Sequence, residues 1–126
     1  MERITTKKAP AAIGPYSQAH RTGNLLFTSG QVALDPETGE VVGSTVEEQA
    51  RRCCESVGAI LEAAGLGFEN VVKTTCFLAD MADFTAFNAV YGKHFTGKPA
   101  RSCAAVRKLP RKLLCESKVI AEYRKF

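Results

Sequence analysis

Arg101 and Glu116 are the two charged residues whose types and spacing best suit chemistry on a small acid. The planar guanidinium of an arginine can hold a carboxylate with two parallel hydrogen bonds. A glutamate can orient a water molecule and take a proton from it. Together they predict a site that binds a carboxylate and activates water, although a structural ion pair between the two residues is an open alternative.

Both residues fall in segments that alternate as strands do, about 101–106 and 113–122. If the loop over 107–112 closes these strands into a hairpin, Arg101 is a diagonal neighbour of Glu116, roughly 7–8 Å away. An apolar neighbourhood makes either charge costly unless it is paired or serves a ligand. This register therefore predicts that a single chain brings the two charges together.

The cysteines and histidines form no recognised catalytic or metal-binding pattern. None of the five cysteines is spaced Cys-x-x-Cys, and no zinc array can be assembled with His20 and His94. The sequence therefore predicts no metal and reduced thiols, although a Cys–His nucleophilic pair stays open. A partial phosphate-loop match over 92–98 fails because Pro99 stands where the magnesium-binding Ser or Thr is needed.

The composition is that of one soluble globular domain, predicted over residues 1–126. Hydrophobic residues make up 45% of the chain and charged residues 24%, which is unlike a disordered protein. The longest uncharged stretch, 22–34, is too short and too polar for a transmembrane helix, and no secretory signal is recognisable. A cytoplasmic protein without membrane contact is the expectation.

Positive charge is concentrated near the C-terminus. Residues 1–100 hold nine Lys and Arg against eleven Asp and Glu, whereas residues 101–126 hold eight against two. Such a basic segment can bind an anion or a nucleic acid, or it can be a solvated strand edge that lysines protect from aggregation. Composition alone leaves these alternatives open.

Hydrophobic periodicity predicts the elements that must position these residues. Short strands are indicated at 16–21 and 24–29, and a longer one at 71–78. Thr45 and Glu48 have the spacing of a capping box, and an apolar helical stripe follows it.

A second helix is predicted after Asp83, whose side chain can cap it. Its aromatic residues recur on one side and indicate a core-facing stripe: Phe84, Phe87, Tyr91 and Phe95. The order of strands and helices predicts an α+β fold, a mixed β-sheet with two helices packed on one face.

Several motifs, in chain order, resemble those of the RidA (YjgF) family of reactive-intermediate deaminases. They are Pro10-Ala-Ala-Ile-Gly-Pro-Tyr-Ser-Gln-Ala19, Phe27-Thr-Ser-Gly-Gln31, Asp83-Phe84 with Asn88 and Tyr91, Pro99-Ala-Arg-Ser-Cys103, and Leu109-Pro110 followed by Glu116. The resemblance covers nearly the whole chain. It implies a chorismate-mutase-like fold assembled as a homotrimer, with sheets inside, helices outside and three pockets between subunits.

The resemblance also implies an activity, the hydrolysis of 2-imino acids such as 2-iminobutanoate and 2-iminopropanoate to 2-keto acids and ammonia, with no metal or organic cofactor. Arg101 would hold the substrate carboxylate, and Glu116 would activate the attacking water. Backbone groups around Gly30 and Cys103 would orient substrate and water. The pocket would be lined, partly from an adjacent subunit, by Tyr16, Ser29, Phe84 and Asn88.

Two positions depart from the family pattern. Ser56 stands where the first helix usually has Asn, and Lys118 stands where the last strand usually has a second Glu. Some relatives are described as ribonucleases or translation inhibitors, so an RNA-directed protein is an alternative, as is a non-enzymatic trimer that binds carboxylate metabolites. The basic segment over residues 101–126 would supply positive charge for RNA through Arg111, Lys112, Arg124 and Lys125.

Overall fold

The computed structural model describes residues 1–124, and their strands form one six-stranded mixed sheet. The strands are β1 (Glu2–Ile4), β2 (Ala19–Thr22), β3 (Leu25–Thr28), β4 (Val71–Leu78), β5 (Ala100–Ala105) and β6 (Cys115–Glu122). Their order in the sheet is β1-β2-β3-β6-β4-β5. With helices α1 (Val46–Ala63) and α2 (Phe84–His94) packed together on one face, the α+β prediction is confirmed. Lys125 lies outside the described residues.

The capping box predicted for α1 is present. Thr45 Oγ1 accepts from Glu48 N at 3.2 Å, and Glu48 Oε1 accepts from Thr45 N at 3.1 Å. The helix ends at Ala63. Gly65 follows with a φ of 79°, a value that residues with a side chain rarely adopt. Within residues 1–124, neither α1 nor any other helix has the length and apolar character needed to cross a membrane.

Alternation along the central strands gives the sheet two different faces. The helix face is buried against α1 and α2 and includes Thr74, Cys76, Leu78, Cys115, Ser117 and Val119. The open face has no helix against it and includes Phe27, Thr75, Phe77, Glu116 and Lys118. Because successive side chains of a strand point to opposite faces of the sheet, a residue's position in its strand decides on which face its side chain lies.

β5 and β6 do not form the predicted hairpin, because β4 lies between them. β4 pairs in parallel with β5, which places Cys103 beside Cys76. It pairs antiparallel with β6, which places Glu116 beside Phe77. The prediction that Arg101 is a diagonal neighbour of Glu116 is therefore wrong.

The physical reason lies in β4 and α2. β4 is buried on its helix face, and the backbone N–H and C=O groups along both of its edges need hydrogen-bond partners. α2 supplies the long crossover that a parallel pair needs, so β5 lies on one edge of β4 and β6 takes the other. The segment between β5 and β6 passes the end of β4, where Val106 N donates to Leu78 O at 2.9 Å.

Two local predictions also change. The strand predicted from residue 16 begins only at Ala19, because Gln18 is used to anchor the preceding segment. Its side chain accepts from Thr6 N at 2.7 Å and donates to Pro10 O at 2.8 Å. Asp83 precedes α2 but makes no side-chain cap, and Asp80 instead caps the short 3-10 turn before the helix.

All five cysteines are free thiols: Cys53, Cys54, Cys76, Cys103 and Cys115. Four are buried and Cys103 is half-buried. Burial raises the pKa of Cys54 to about 12, so this thiol stays protonated at neutral pH. The buried cysteines therefore behave as small apolar core residues.

Thr45→Ala should lower the free energy of unfolding by about 1 kcal/mol, because the amide of Glu48 loses its acceptor. Thr45→Ser keeps a hydroxyl acceptor and should stay within about 0.5 kcal/mol of the original chain. Urea denaturation followed by circular dichroism measures both variants. An alanine variant as stable as the original chain would contradict the role given to the capping box.

Candidate active site

Arg101 projects from the edge strand β5 onto the helix face, where α2 holds its guanidinium. Nη1 donates to Asn88 Oδ1 at 2.7 Å. The guanidinium carbon lies 4.7 Å from the centre of the Tyr91 ring and 5.4 Å from that of Phe84. Since cations are attracted to aromatic ring faces, these contacts fix the orientation of the side chain. These four residues are referred to below as the arginine half-site.

Tyr91 is in turn fixed by a buried hydrogen bond. Its hydroxyl lies 2.8 Å from Oγ1 of Thr74, which is fully buried in β4. The aromatic stripe correctly predicts a core position for Tyr91 but not its contact with Arg101. Its spacing from Phe84 and Asn88 could have shown it, because residues three and four apart share one side of a helix.

A cavity of about 380 Å³ adjoins the arginine half-site and is lined in part by Asn88, Tyr91 and Arg101. Within residues 1–124, Asn88 is the one hydrogen-bond acceptor of Arg101, and no carboxylate lies within ion-pair distance of it. The predicted alternative of a structural ion pair between Arg101 and Glu116 is therefore wrong. The remaining guanidinium N–H groups are available to a ligand.

Cys103 lies two residues beyond Arg101 on the same side of β5. Burial raises the pKa of its thiol, while Arg101 opposes the rise. A protonated thiol is a poor nucleophile, and no histidine among residues 1–124 hydrogen-bonds to it. In the same part of the chain no three His, Cys, Asp or Glu side chains gather as metal ligands.

Glu116 projects from β6 onto the open face, where its carboxylate lies against Gly30. A Cβ at residue 30 would overlap the carboxylate, so this close approach requires glycine. Burial raises the pKa of Glu116 above its ordinary value of 4.5, and the nearby ammonium of Lys118 opposes the rise. A half-buried carboxyl with a raised pKa is a stronger base once ionised.

Tyr16 and Ser29 line one cavity of about 450 Å³ together with Phe27 and His20. Ser29 Oγ donates to Ser17 O at 2.5 Å, which ties the segment that precedes Gly30 to the segment that carries Tyr16. Tyr16 itself is 55% exposed. With Glu116 and Gly30, these two residues are referred to below as the glutamate half-site.

The two half-sites lie on opposite faces of the sheet. Arg101 points to the helix face, as its bond to α2 shows, and Glu116 points to the open face. β4 separates the two strands that carry them. One chain therefore places Arg101 against Asn88, Tyr91 and Phe84, and Glu116 against Gly30, but it does not bring the two half-sites together.

Known proteins with the same sequence pattern decide the family. The family model described as Endoribonuclease L-PSP matches residues 6–123. The mouse protein named 2-iminobutanoate/2-iminopropanoate deaminase is 50% identical over 119 residues, which are 94% of this chain and 88% of the mouse protein. The crystal structure of the E. coli YjgF gene product is 45% identical, with a TM-score of 0.93 over 98% of this chain and 100% of that one.

The chain belongs to the RidA (YjgF) family. A second solved structure, E. coli TdcF with bound serine, is 41% identical with a TM-score of 0.93, and the match covers 99% of this chain and 100% of that chain. The predicted chorismate-mutase-like fold is thereby confirmed.

The two departures from the RidA pattern fall in different places. Ser56 is fully buried in α1, and its Oγ accepts from Arg52 Nη2 at 3.1 Å. Lys118 is exposed on the open face, two residues from Glu116. Only the Lys118 departure alters the electrostatic surroundings of a half-site residue.

Thr74→Val should lower the free energy of unfolding by about 1–3 kcal/mol, because the Tyr91 hydroxyl loses its buried partner. The double variant Thr74→Val with Tyr91→Phe removes both hydroxyls and should recover most of that loss. Urea denaturation of the single and double variants measures the coupling. Thr75→Val, on the open face, is the matched control and should change stability little; purely additive losses would contradict the hydrogen bond's role.

Proposed function

We propose that this chain is a hydrolytic deaminase that converts 2-imino acids, such as 2-iminobutanoate and 2-iminopropanoate, to 2-keto acids and ammonia. The observation that carries the proposal is the Arg101 guanidinium, held by Asn88 and Tyr91 but paired with no carboxylate among residues 1–124. A cation oriented in advance loses little freedom when it binds a carboxylate. The name of the mouse relative and the serine bound to TdcF support this class of ligand.

The reaction needs few catalytic groups from the protein, because an imine carbon is already electrophilic. Arg101 holds the carboxylate of the substrate with its free N–H groups. Glu116 takes a proton from water as the water oxygen bonds to the imine carbon, and the proton passes on to the nitrogen. The proton of the new hydroxyl then also passes to the nitrogen, and the C–N bond breaks as the C=O bond forms, so that ammonia leaves. Water supplies the oxygen and no electrons are exchanged, so the proposed reaction uses no cofactor.

Arg101 and Glu116 can act on one substrate only if they come from different chains. We therefore propose a homotrimer in which the arginine half-site of one chain faces the glutamate half-site of the next. Because β5 is an edge strand with exposed residues on its open-face side, Ser102 and Ala104, it can approach a neighbouring chain. In this arrangement Phe84 and Cys103 belong to one wall of the pocket, and Tyr16, Ser29 and Gly30 belong to the other.

Arg101→Ala and Glu116→Gln should each lower kcat/KM by about 100-fold or more, because carboxylate binding or water activation is lost. Co-expressed in equal amounts, the two variants should recover about a quarter of the original activity. The reason is that about one site in four between neighbouring chains then combines an intact Arg101 from one chain with an intact Glu116 from the other. Keto-acid release from 2-iminobutanoate, generated by a pyridoxal-phosphate enzyme acting on threonine, measures the rate.

Native mass spectrometry on the same sample shows whether mixed trimers have formed. Two copies of Arg101→Ala carrying different tags are the matched control, because no mixture of them contains an intact site. Mixed trimers that are as inactive as their parents would contradict a site shared between chains. An original chain that fails to accelerate keto-acid release would contradict the proposed reaction itself.

The pH profile should report Glu116. A general base must be ionised, so kcat/KM should fall as the pH falls through the raised pKa of Glu116, above the ordinary 4.5. Lys118→Met removes a positive charge that favours the ionised form, and should shift this acid limb to higher pH. Lys118→Arg keeps the charge and should leave the limb in place. Identical profiles for the Met and Arg variants would contradict the assignment of Glu116 as the base.

An RNA-directed activity is the second candidate, because the matching family model is described as an endoribonuclease. A cavity of about 290 Å³ is lined by cations of the loop after β5, Arg107, Lys108 and Lys112. His20 and His94 lie in β2 and at the end of α2, so they form no acid–base pair for RNA cleavage. RNA cleavage that persists in Arg101→Ala and Glu116→Gln would favour this second function.

A further inference from the structure

The cavity beside the arginine half-site extends from Arg101 to a second basic residue, Lys98. It has a volume of about 380 Å³, and its lining also includes Tyr91, Phe95 and Thr96. Because residues of α2 form one of its walls, it lies on the helix face of the sheet and is separate from the open face, which lies inside the proposed trimer. Within residues 1–124, the cavity is lined by two basic residues and by no acidic one.

The Lys98 ammonium has no counter-ion within residues 1–124. No carboxylate of that part of the chain lies within ion-pair distance of it, and Lys98 is exposed. Its four-carbon stem is flexible, so the ammonium can move to meet a ligand in the cavity that the residue lines. Arg101 differs, because Asn88 and Tyr91 already fix the orientation of its guanidinium. The cavity thus combines one fixed cation with one that adapts to the ligand.

Lys98 also has an unusual backbone conformation. Its φ is 53°, in the left-handed region that favours glycine, whereas the adjacent Gly97 has no positive φ. Pro99 at the next position restricts the backbone of Lys98 further. Residues held in such sparsely populated conformations cluster at functional sites. A lysine where glycine would fit the backbone better therefore points to a use of its side chain.

The spacing of the two basic residues suits a short ligand with an acid at each end. Lys98 and Arg101 are three residues apart, so their Cα atoms are separated by at most about 11 Å. Both side chains are long, and each can hold one carboxylate. The rings of Tyr91 and Phe95 stack with their centres 4.5 Å apart and give the cavity an apolar wall for the methylene groups between the two acids.

We propose that this cavity selects dicarboxylates, so that the preferred substrates are 2-imino acids whose side chain ends in a carboxylate, such as 2-iminosuccinate and 2-iminoglutarate. Arg101 holds the carboxylate next to the imine carbon, and Lys98 holds the carboxylate of the side chain. The volume of about 380 Å³ lies in the lower part of the range for small-molecule pockets, which suits a ligand of this size.

Lys98 is thus a specificity-determining residue that meets the far end of the substrate. The bonds made and broken at the imine carbon are those of the reaction given above, because Lys98 touches none of the reacting atoms. The choice of 2-imino acids as the substrate class rests on the proposed function, whereas the preference of the cavity for dicarboxylates does not.

The test is isothermal titration of the full chain, at low salt, with glutarate and with its monoamide. The two ligands have the same length and one carboxylate for Arg101, and they differ only in the charge at the far end. We expect glutarate to bind about fivefold more tightly, because an ion pair at an exposed lysine strengthens binding modestly. Added salt should reduce this difference, because it screens exposed charges. Arg101→Ala should lose most of the affinity for both ligands.

Variants of Lys98 separate its charge from its backbone. Lys98→Gly suits the φ of 53°, so it should be at least as resistant to urea as the original chain, but the ratio of the two affinities should fall to about one. Lys98→Arg keeps the charge and should keep the preference for glutarate. Lys93→Met, at an exposed position of α2, is the matched control and should also keep the preference.

Three results would overturn the proposal. They are equal binding of glutarate and its monoamide by the original chain, a preference for glutarate that survives in Lys98→Gly, and glutarate binding that is unchanged in Arg101→Ala. The deaminase assay is read separately, with 2-iminoglutarate generated by a flavin-dependent oxidase acting on glutamate. A chain that prefers glutarate through Lys98 but hydrolyses no 2-imino acid contradicts only the proposed function. A chain that hydrolyses 2-iminobutanoate but shows no preference for glutarate contradicts only the dicarboxylate inference.

Discussion

The position of β4 between β5 and β6 is the constraint on which the arrangement of functional groups depends. Because β4 pairs with both strands, Arg101 and Glu116 are two strands apart rather than neighbours. The alternation of side chains then sends the guanidinium to the helix face and the carboxylate to the open face. A pocket that uses both groups must be completed by a second chain, and β5, an edge strand with exposed residues, can approach one.

The two half-sites are prepared for their proposed tasks by different means. Arg101 is oriented by direct contacts, since Asn88 accepts from its guanidinium and Tyr91 lies beneath it, fixed by Thr74. Glu116 has instead a close approach to Gly30 and partial burial, which raises its pKa. The first arrangement limits the freedom that a carboxylate binder must lose, and the second strengthens a base.

Lys118 contributes to the electrostatic surroundings of Glu116 on the open face of the sheet. Lys118 lies two residues from Glu116 on the same side of β6, and its positive charge opposes the rise that burial causes in the pKa of Glu116.

The sequence by itself determined the features that depend on residues close together in the chain. The Thr45–Glu48 capping box, the alternation in β4, β5 and β6, the two helices and the family motifs could all be read from it. Only the tertiary structure decided that β5 and β6 are partners of β4 rather than of each other, and that Tyr91 supports Arg101. Strand order depends on which distant edges meet, and local periodicity carries no information about that choice, so the faces of Arg101 and Glu116 could be assigned only after the whole sheet was assembled.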